Sequence, residues 1–389
     1  MNSAPATSTK SEPLYLFAGG GSGGHLFPAL AVARELLRLT PQAKCHFLCS
    51  QREVDQRILS QACAETSRIT ADFPFAYSTK PGFGSRVRTL FQIAFDTIRT
   101  CRMLSKKRPS IMVGIGARPM VPAGIAAFLT GTPLILMESN CVPGRAVRFL
   151  SRFASTTLTG LPIADGRSSA IRGTVISVGV PVSAAVAELA RKPSPQREFP
   201  SKLLILGGSQ GAGQLNHIAP AAVRQAGLIQ QGWTIVHQCG GGKLDPAIEA
   251  WGEDRQHVLI TPFLDSPADY LQGVSLVISR AGAATIAELC CAGIPSILVP
   301  LEHSSEGHQA CNAAWASKQK FGEVPAAAGR LSVQQLTATL RRICFTPMTQ
   351  EQMASNARSE ARPNAAVHAA EEILATITAM DARRQPAED

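Results

Sequence analysis

Short apolar runs closed by glycine alternate with longer amphipathic stretches along most of the chain, and that alternation predicts strands and helices in turn. Leu14 to Gly19, LYLFAG, has the length and apolar density of a buried parallel strand. Leu26 to Leu39 follows with apolar residues at helical spacing and Pro28 in the first turn. Cys45 to Ser50 predicts the next strand. The pattern resumes with a strand at Ser110 to Gly116, a helix at Pro122 to Gly131 and a strand at Pro133 to Ser139. Further strands are expected near Ser155 and Thr174. Together these predict a doubly wound α/β domain ending near Pro181.

A proline-rich, charged stretch, Arg191 to Ser201, then predicts a linker or exposed loop. After it the pattern restarts. Lys202 to Asn216 is strand, glycine loop and helix start; Trp233 to Gly240 and His257 to Phe263 are strands. Ser275 to Pro300 is strand, glycine turn, helix, glycine stop and strand. The chain is therefore expected to be α/β, with two Rossmann-like doubly wound domains facing across a cleft. The expected boundaries are a flexible segment at 1–12, domains at 13–183 and 184–360, a C-terminal helix at 361–380 packing back on the first domain, and a flexible tail at 381–389.

Length and composition agree with this division. At 389 residues, with 45% apolar and 17% charged residues, the chain is globular and long enough for two cores. The net charge of +10 favours anionic partners. The ten cysteines show no paired spacing and are expected to be buried reduced thiols; no histidine spacing suggests a metal site. The first twelve residues lack the apolar core of a signal peptide, and no run is long enough to span a bilayer. No zinc-finger or aromatic RNA-binding signature turns the positive charge toward nucleic acid.

Four constellations carry chemistry. The first is Gly19-Gly20-Gly21-Ser22-Gly23-Gly24-His25. Its glycines permit positive φ and close backbone approach, and the helix after it offers free amides to an anion. It is either a generic Rossmann turn or a substrate loop. His25, at the helix start, is either a capping or structural residue or a group for transition-state stabilisation or proton transfer, and the helix N-terminus favours its neutral form. The second is Gly207-Gly208-Ser209-Gln210-Gly211-Ala212, a phosphate cradle without the lysine of a Walker loop. The third is Arg280 to Glu288, a glycine turn opening a helix, where Glu288 either offsets the helix dipole or accepts hydrogen bonds from ribose hydroxyls. The fourth is Glu302-His303, then His308-Gln309 and Asn312. Gln309 and Asn312 are about one turn apart and suit sugar hydroxyls, because amides both donate and accept.

Taken in order, GGxGGHxxPALAxA, GGSQGAxxLN and SRAGAxTxAEL–GxPxxLVP resemble the motifs of the MurG family of transferases, which add N-acetylglucosamine to undecaprenyl-pyrophosphoryl-muramoyl-pentapeptide (lipid I). The resemblance runs from Leu14 to about Leu374. It implies a GT-B fold, UDP-N-acetylglucosamine as donor, no required metal or cofactor, an inverting transfer that forms lipid II, and a role in peptidoglycan synthesis, cell shape and cell division. It also implies a peripheral location on the cytoplasmic face of the inner membrane, and contact with other cell-wall synthesis proteins. By position, Ser22, Gly23 and Gly24 correspond to the diphosphate region, Asn140 to a substrate-binding asparagine, Ser209 to a pyrophosphate contact and Leu264 to a backbone contact with uracil. Ala283, Ala284, Thr285, Ile286, Ala287 and Glu288 correspond to the nucleotide segment, with Glu288 on ribose. Gln309 and Asn312 correspond to residues that read the N-acetylglucosamine ring.

The chain departs from the family at Met137-Glu138-Ser139-Asn140, where the family has His-Glu-Gln-Asn. It departs again at Gly179-Val180-Pro181-Val182-Ser183, where the family ends in a diphosphate-binding arginine. Arg118 and Ser183 are the candidates for diphosphate contact; Ser183 lacks that arginine's fork of donors, and Arg118 could supply the missing charge. His25 and Glu138 are the candidates for the base, with His25 preferred. Arg86 to Arg108 is both basic and apolar, with Leu90, Phe91, Ala94, Phe95 and Ile98 on one face. It is either a core-facing helix or a patch that docks on anionic lipid. The alternative enzyme readings are another GT-B nucleotide-sugar transferase and a sugar-nucleotide 2-epimerase.

Overall fold

The computed structural model describes residues 12–76, 83–192, 201–208, 213–264, 266–301, 305–325 and 331–384. Most of the expected linker, and also Ser209, Glu302 and His303, lie outside the described residues.

The first domain is one parallel sheet of seven strands in the order β3-β2-β1-β4-β5-β6-β7. Its strands are β1 (Leu14–Ala18), β2 (Lys44–Ser50), β3 (Ile69–Phe75), β4 (Ile111–Gly114), β5 (Leu134–Glu138), β6 (Thr156–Thr159) and β7 (Thr174–Ser177). The crossovers are α1 (Gly23–Leu39), α2 (Glu53–Glu65), α3 (Phe83–Lys107), α4 (Met120–Thr130) and α5 (Arg145–Leu150). β1, β4 and β5 are apolar and buried almost throughout because helices cover both faces of the sheet. Chain direction reverses its march across the sheet between β1 and β4, so their carboxyl ends flank the crevice where open α/β sheets bind ligands.

The second domain begins with α6 (Ala184–Arg191) and repeats the plan with six parallel strands in the order β10-β9-β8-β11-β12-β13. These are β8 (Lys202–Leu206), β9 (Thr234–Gln238), β10 (Val258–Thr261), β11 (Leu276–Ser279), β12 (Ser296–Leu298) and β13 (Gly322–Glu323). Its further helices are α7 (Gly213–Ala226), α8 (Leu244–Trp251), α9 (Pro267–Leu271), α10 (Ala283–Ala292), α11 (His308–Lys318), α12 (Val333–Cys344) and α13 (Pro347–Ser359). A buried polar chain fixes the start of α7. Trp251 Nε1 donates to His237 Nδ1 at 2.9 Å, so the other ring nitrogen carries the proton and donates to Asn216 Oδ1 at 3.1 Å. Asn216 Nδ2 in turn donates to the Cys239 carbonyl at 2.8 Å. Burial pushes His237 down to about 4, so this chain stays neutral.

The last helix, α14 (Ala365–Arg384), returns to the first domain and packs on α1, placing Ala369, Ala370 and Ile373 in the same core as Leu26 and Leu30. The two crossings between domains touch each other. A Cβ on Gly179, whose φ is +87°, would stand 2.7 Å from Arg362 Cβ. Arg358 pins α13 to the second domain by donating to the carbonyls of Leu189 and Cys291 at 2.7 and 3.3 Å.

Sequence periodicity predicted no element between β2 and the basic helix, where α2 and β3 stand. α2 buries only Asp55, Leu59 and Ala62, and β3 is half-buried edge structure, so neither carries a clean apolar period. α1 begins at Gly23, earlier than Leu26, because Ser22 is extended and serves as N-cap. The first half of α3 turns its apolar side outward. Leu90, Phe91, Phe95 and Ile98 are 67%, 73%, 67% and 55% exposed, whereas Asp96, Thr97 and Thr100 are buried. The named apolar face therefore points away from the sheet, while Leu104, with Cys101 and Met103, packs the other face of α3 on the core.

Candidate active site

The carboxyl end of β1 runs into three glycines with φ of +149°, +122° and +86° at Gly19, Gly20 and Gly21. Packing requires them as well as the backbone. A Cβ on Gly19 would stand 2.6 Å from the Gly116 carbonyl oxygen, and one on Gly20 would stand 2.6 Å from Asp55 Oδ2. Ser22 then starts α1, but its hydroxyl makes no cap to the helix. It sits 3.0 Å from His25 Nδ1 instead. The first-turn amides of Gly23 and Gly24 thus have no side-chain cap, and a helix N-terminus in that condition attracts anions.

His25 is the third residue of α1. Its imidazole lies flat on Gly116, where a Cβ would come within 2.6 Å of Cδ2. Burial lowers its pKa, and the nearby His308 acts in the same direction. The charges of Glu138 and Asp55 and the Gly20 carbonyl oppose that shift without reversing it. The ring is neutral at pH 7 and able to accept a proton.

Glu138 closes β5 and is buried, with both oxygens engaged. Oε1 accepts from the Asn140 backbone and side-chain amides at 2.9 and 3.0 Å, and Oε2 accepts from the Gly144 N–H at 2.7 Å. This shapes the loop after β5 and leaves Glu138 poorly disposed to act as a base. Asn140 reaches across the cleft: its Oδ1 accepts from Asn312 Nδ2 at 3.0 Å. Asn312 also donates to the Ala281 carbonyl at 3.1 Å and accepts from the Cys141 N–H at 3.0 Å. Asn312 is fully buried, and its donors and acceptor are committed to joining the domains. It does not share a solvent face with Gln309, whose Oε1 accepts from the Leu301 N–H at 2.9 Å. The expected sugar-reading pair is thus split, because the interface takes up one of its members.

A second interdomain cluster was not foreseen. Glu306, at φ +60°, accepts from Arg148 Nη2 at 2.9 Å and lies 3.8 Å from Arg145 Nε and 3.9 Å from His308 Nε2. Arg57 stacks on Phe263 with its guanidinium carbon 4.1 Å from the ring centroid, a further contact between the domains.

On the second domain, the loop after β8 is braced by buried Gln238. Its Oε1 accepts from the Gly208 N–H at 3.0 Å, and its Nε2 donates to the Pro262 and Gly208 carbonyls at 2.8 and 3.2 Å. The turn after β11 leads into α10 with Gly282 as N-cap and no side-chain cap, so the amides of Ala283, Ala284 and Thr285 form a second anion-attracting terminus. Ile286 is buried in the interdomain core and Ala287 packs against it. Glu288 follows in the second turn, and burial pushes its carboxyl up to about 7. Tyr270 is raised by its own burial and then by the Glu288 charge. Leu264 is half-buried against the core behind β8 and β9.

The two candidates for diphosphate contact separate. Arg118 is exposed in the loop after β4, next to Ala117 at φ +61°. Ser183 Oγ accepts from the Val186 N–H at 3.3 Å and caps α6, so it stands at the domain crossing as a helix cap and not as a replacement for the family's arginine. Among the described residues, no group of three or more His, Cys, Asp or Glu is arranged to hold a metal ion.

Residues 15–159 match the glycosyltransferase family 28 N-terminal domain, and residues 202–369 match the glycosyltransferase family 28 C-terminal domain. The chain is 32% identical over 382 residues to the UDP-N-acetylglucosamine--N-acetylmuramyl-(pentapeptide) pyrophosphoryl-undecaprenol N-acetylglucosamine transferase of Xanthomonas campestris pv. campestris (strain B100), covering 95% of this chain and 83% of the relative. It is 35% identical over 309 residues to the transferase of the same name from Ectopseudomonas mendocina (strain ymp), covering 78% and 82%. The crystal structure of Acinetobacter baumannii MurG superposes with a TM-score of 0.70 at 25% identity, over 93% of this chain and 99% of that one.

Proposed function

The chain belongs to glycosyltransferase family 28, and from that premise we propose that it transfers N-acetylglucosamine from UDP-N-acetylglucosamine to the muramoyl 4-hydroxyl of lipid I, forming lipid II with inversion. The observation that carries this reading is the similarity over 95% of the chain to a transferase named for that donor and acceptor. The nucleotide lies on the second domain, with its phosphates toward the free amides of α10 and the loop after β8, and Glu288 accepting from the ribose. Gln309 offers its amide to the transferred sugar. The acceptor lies on the first domain, its diphosphate toward the amides of Gly23 and Gly24.

In the transfer step the 4-hydroxyl attacks the anomeric carbon from the face opposite the departing UDP. The new C–O bond forms as the bond to the diphosphate oxygen breaks. His25, neutral at pH 7, takes the hydroxyl proton as attack proceeds. The helix termini spread the charge that develops on the leaving diphosphate. Glu138 holds the loop that carries Asn140 and supports the positive charge on His25 through space.

Docking on an anionic membrane is part of the same proposal. Exposed Leu90, Phe91, Phe95 and Ile98 on α3, with Phe128 and Leu129 on α4, form an apolar patch beside exposed Arg88, Arg99, Arg102 and Lys106. No helix among the described residues is long and apolar enough to cross a membrane. Transfer of radiolabelled N-acetylglucosamine to a lipid I analogue tests the reaction. Native protein should form the disaccharide product, and His25→Ala should lose about 10²- to 10⁴-fold in kcat. Absence of product from native protein with both substrates overturns the reading.

A further inference from the structure

Asp55 contributes nothing to the substrate contacts outlined above, yet it is among the most heavily engaged side chains near the cleft. It is the third residue of α2, a place where a carboxylate ordinarily caps its own helix or faces water. Here it is fully buried and turned toward a different segment. Oδ1 and Oδ2 each lie 2.8 Å from the Gly21 amide nitrogen, and Oδ2 also accepts from Ser50 Oγ at 2.5 Å. From one turn earlier, Arg52 Nη1 donates to the Gly21 carbonyl at 3.1 Å. Gly21 is thus held at its N–H and its C=O by two residues of one helix start.

The sheet order explains how these groups meet. β2 pairs with β1 in parallel register, Ala18 beside Leu48, so the chain leaving β2 emerges next to the glycine loop leaving β1. Gly20 is fitted to the same carboxylate, since any Cβ there would overlap Asp55 Oδ2. Beyond Gly21 the next side chain, Ser22, touches the His25 ring. A shift of Gly21 therefore moves Ser22, the first amides of α1 and the imidazole together.

We infer that Asp55, assisted by Arg52, is a positioning residue that sets the Gly21 peptide and through it aligns His25 and the amides of Gly23 and Gly24 for the transfer. This rests on the reaction proposed above, but the clamp itself is a property of the free protein. Asp55→Asn keeps the shape and removes one acceptor and the charge. With UDP-N-acetylglucosamine and a lipid I analogue, kcat should fall about 100-fold, as expected for a displacement near 1 Å, while the donor KM stays within about threefold. Calorimetric affinity for UDP should be unchanged, because those contacts lie on the second domain. Hydrogen exchange at the Gly21 amide should quicken about tenfold with the loss of its charge-assisted bond. Arg52 is exposed, so Arg52→Ala should fold normally and lower kcat by about three- to tenfold. Native kcat and Gly21 protection in Asp55→Asn would overturn the inference. So would a loss of turnover that appears only together with lost UDP affinity and lost cooperative melting, which assigns Asp55 to folding alone. If native protein shows no transfer, the reaction reading fails, and Gly21 exchange still tests the clamp.

Discussion

The two glycine loops that open the two sheets look alike in sequence and differ in construction. In the loop after β1, side chains or backbone stand where a Cβ would go at Gly19, Gly20 and Gly23, and Asp55 and Arg52 hold the Gly21 peptide. In the loop after β8, a Cβ on Gly208 or Gly213 would meet nothing within 4 Å among the described residues, and Gln238 holds Gly208. Gly208, at φ +77°, is needed for conformation. The first loop is a preformed part of the site. In the second, the described ends at Gly208 and Gly213 have clear space where a Cβ would stand. Preorganisation belongs where charge and protons move, because reorganising that region during the reaction would raise the barrier.

The sharpest way to break this comparison is to add one methyl group to each loop. Gly20→Ala should cost at least about 100-fold in kcat, since the methyl must displace Asp55 or the loop. Gly208→Ala should cost about 1 to 2 kcal/mol of stability from its positive φ and leave kcat within about tenfold. Steady-state kinetics and thermal melting on both variants decide it; equal losses would erase the distinction.

Asn312→Ala probes the contact that joins the loop after β5 to the second domain. It strips partners from the Cys141 N–H and Asn140 Oδ1 and should destabilise the protein by about 1 to 3 kcal/mol in urea unfolding. Its effect on UDP affinity should be small, and a large one would return Asn312 to the sugar site.

Glu288 tests the helix of the second domain that faces the nucleotide. Its carboxyl rises from 4.5 to about 7 on folding, so the folded protein binds the proton more tightly than the unfolded chain. That contribution to stability is present below pH 4.5 and is lost as pH rises through about 7. Glu288→Gln should therefore be more stable than the native protein at pH 8, by about 1 to 2 kcal/mol, with the advantage vanishing below pH 4.5 in a melting series. An advantage independent of pH would contradict burial as the cause.

The smallest effect on folding is expected on the far side of the first domain. Phe91→Asp and Phe95→Asp alter exposed positions, so melting should stay within about 0.5 kcal/mol of native. Flotation with anionic vesicles at low salt should nevertheless drop sharply. Native-like flotation would remove α3 from the docking surface.

Much of the architecture was legible along the chain. Short apolar runs bounded by glycine or proline marked β1, β4, β5, β8, β11 and β12, because strands buried on both faces need no polar alternation. Gly19 to His25 and Gly282 to Glu288 announced helix termini through local chemistry alone. Local pattern gave no sign of Asp55, since a carboxylate near a helix start is ordinarily a cap. It also left the outward face of α3 open, because amphipathic spacing does not say which side of the helix meets the sheet.

The sequence by itself therefore determined two doubly wound sheets, their glycine loops and the presence of a histidine at the first helix terminus. These depend on neighbours within a turn or a strand. Only the tertiary structure decided that Asp55 clamps Gly21, that Asn312 serves the domain interface and that Ser183 caps a helix at the crossing. The first two are contacts across 34 and about 170 residues, set by strand order and domain closure. The third was masked by expectation: a serine can accept from the amide three residues on, and only the backbone path at the crossing shows that it does.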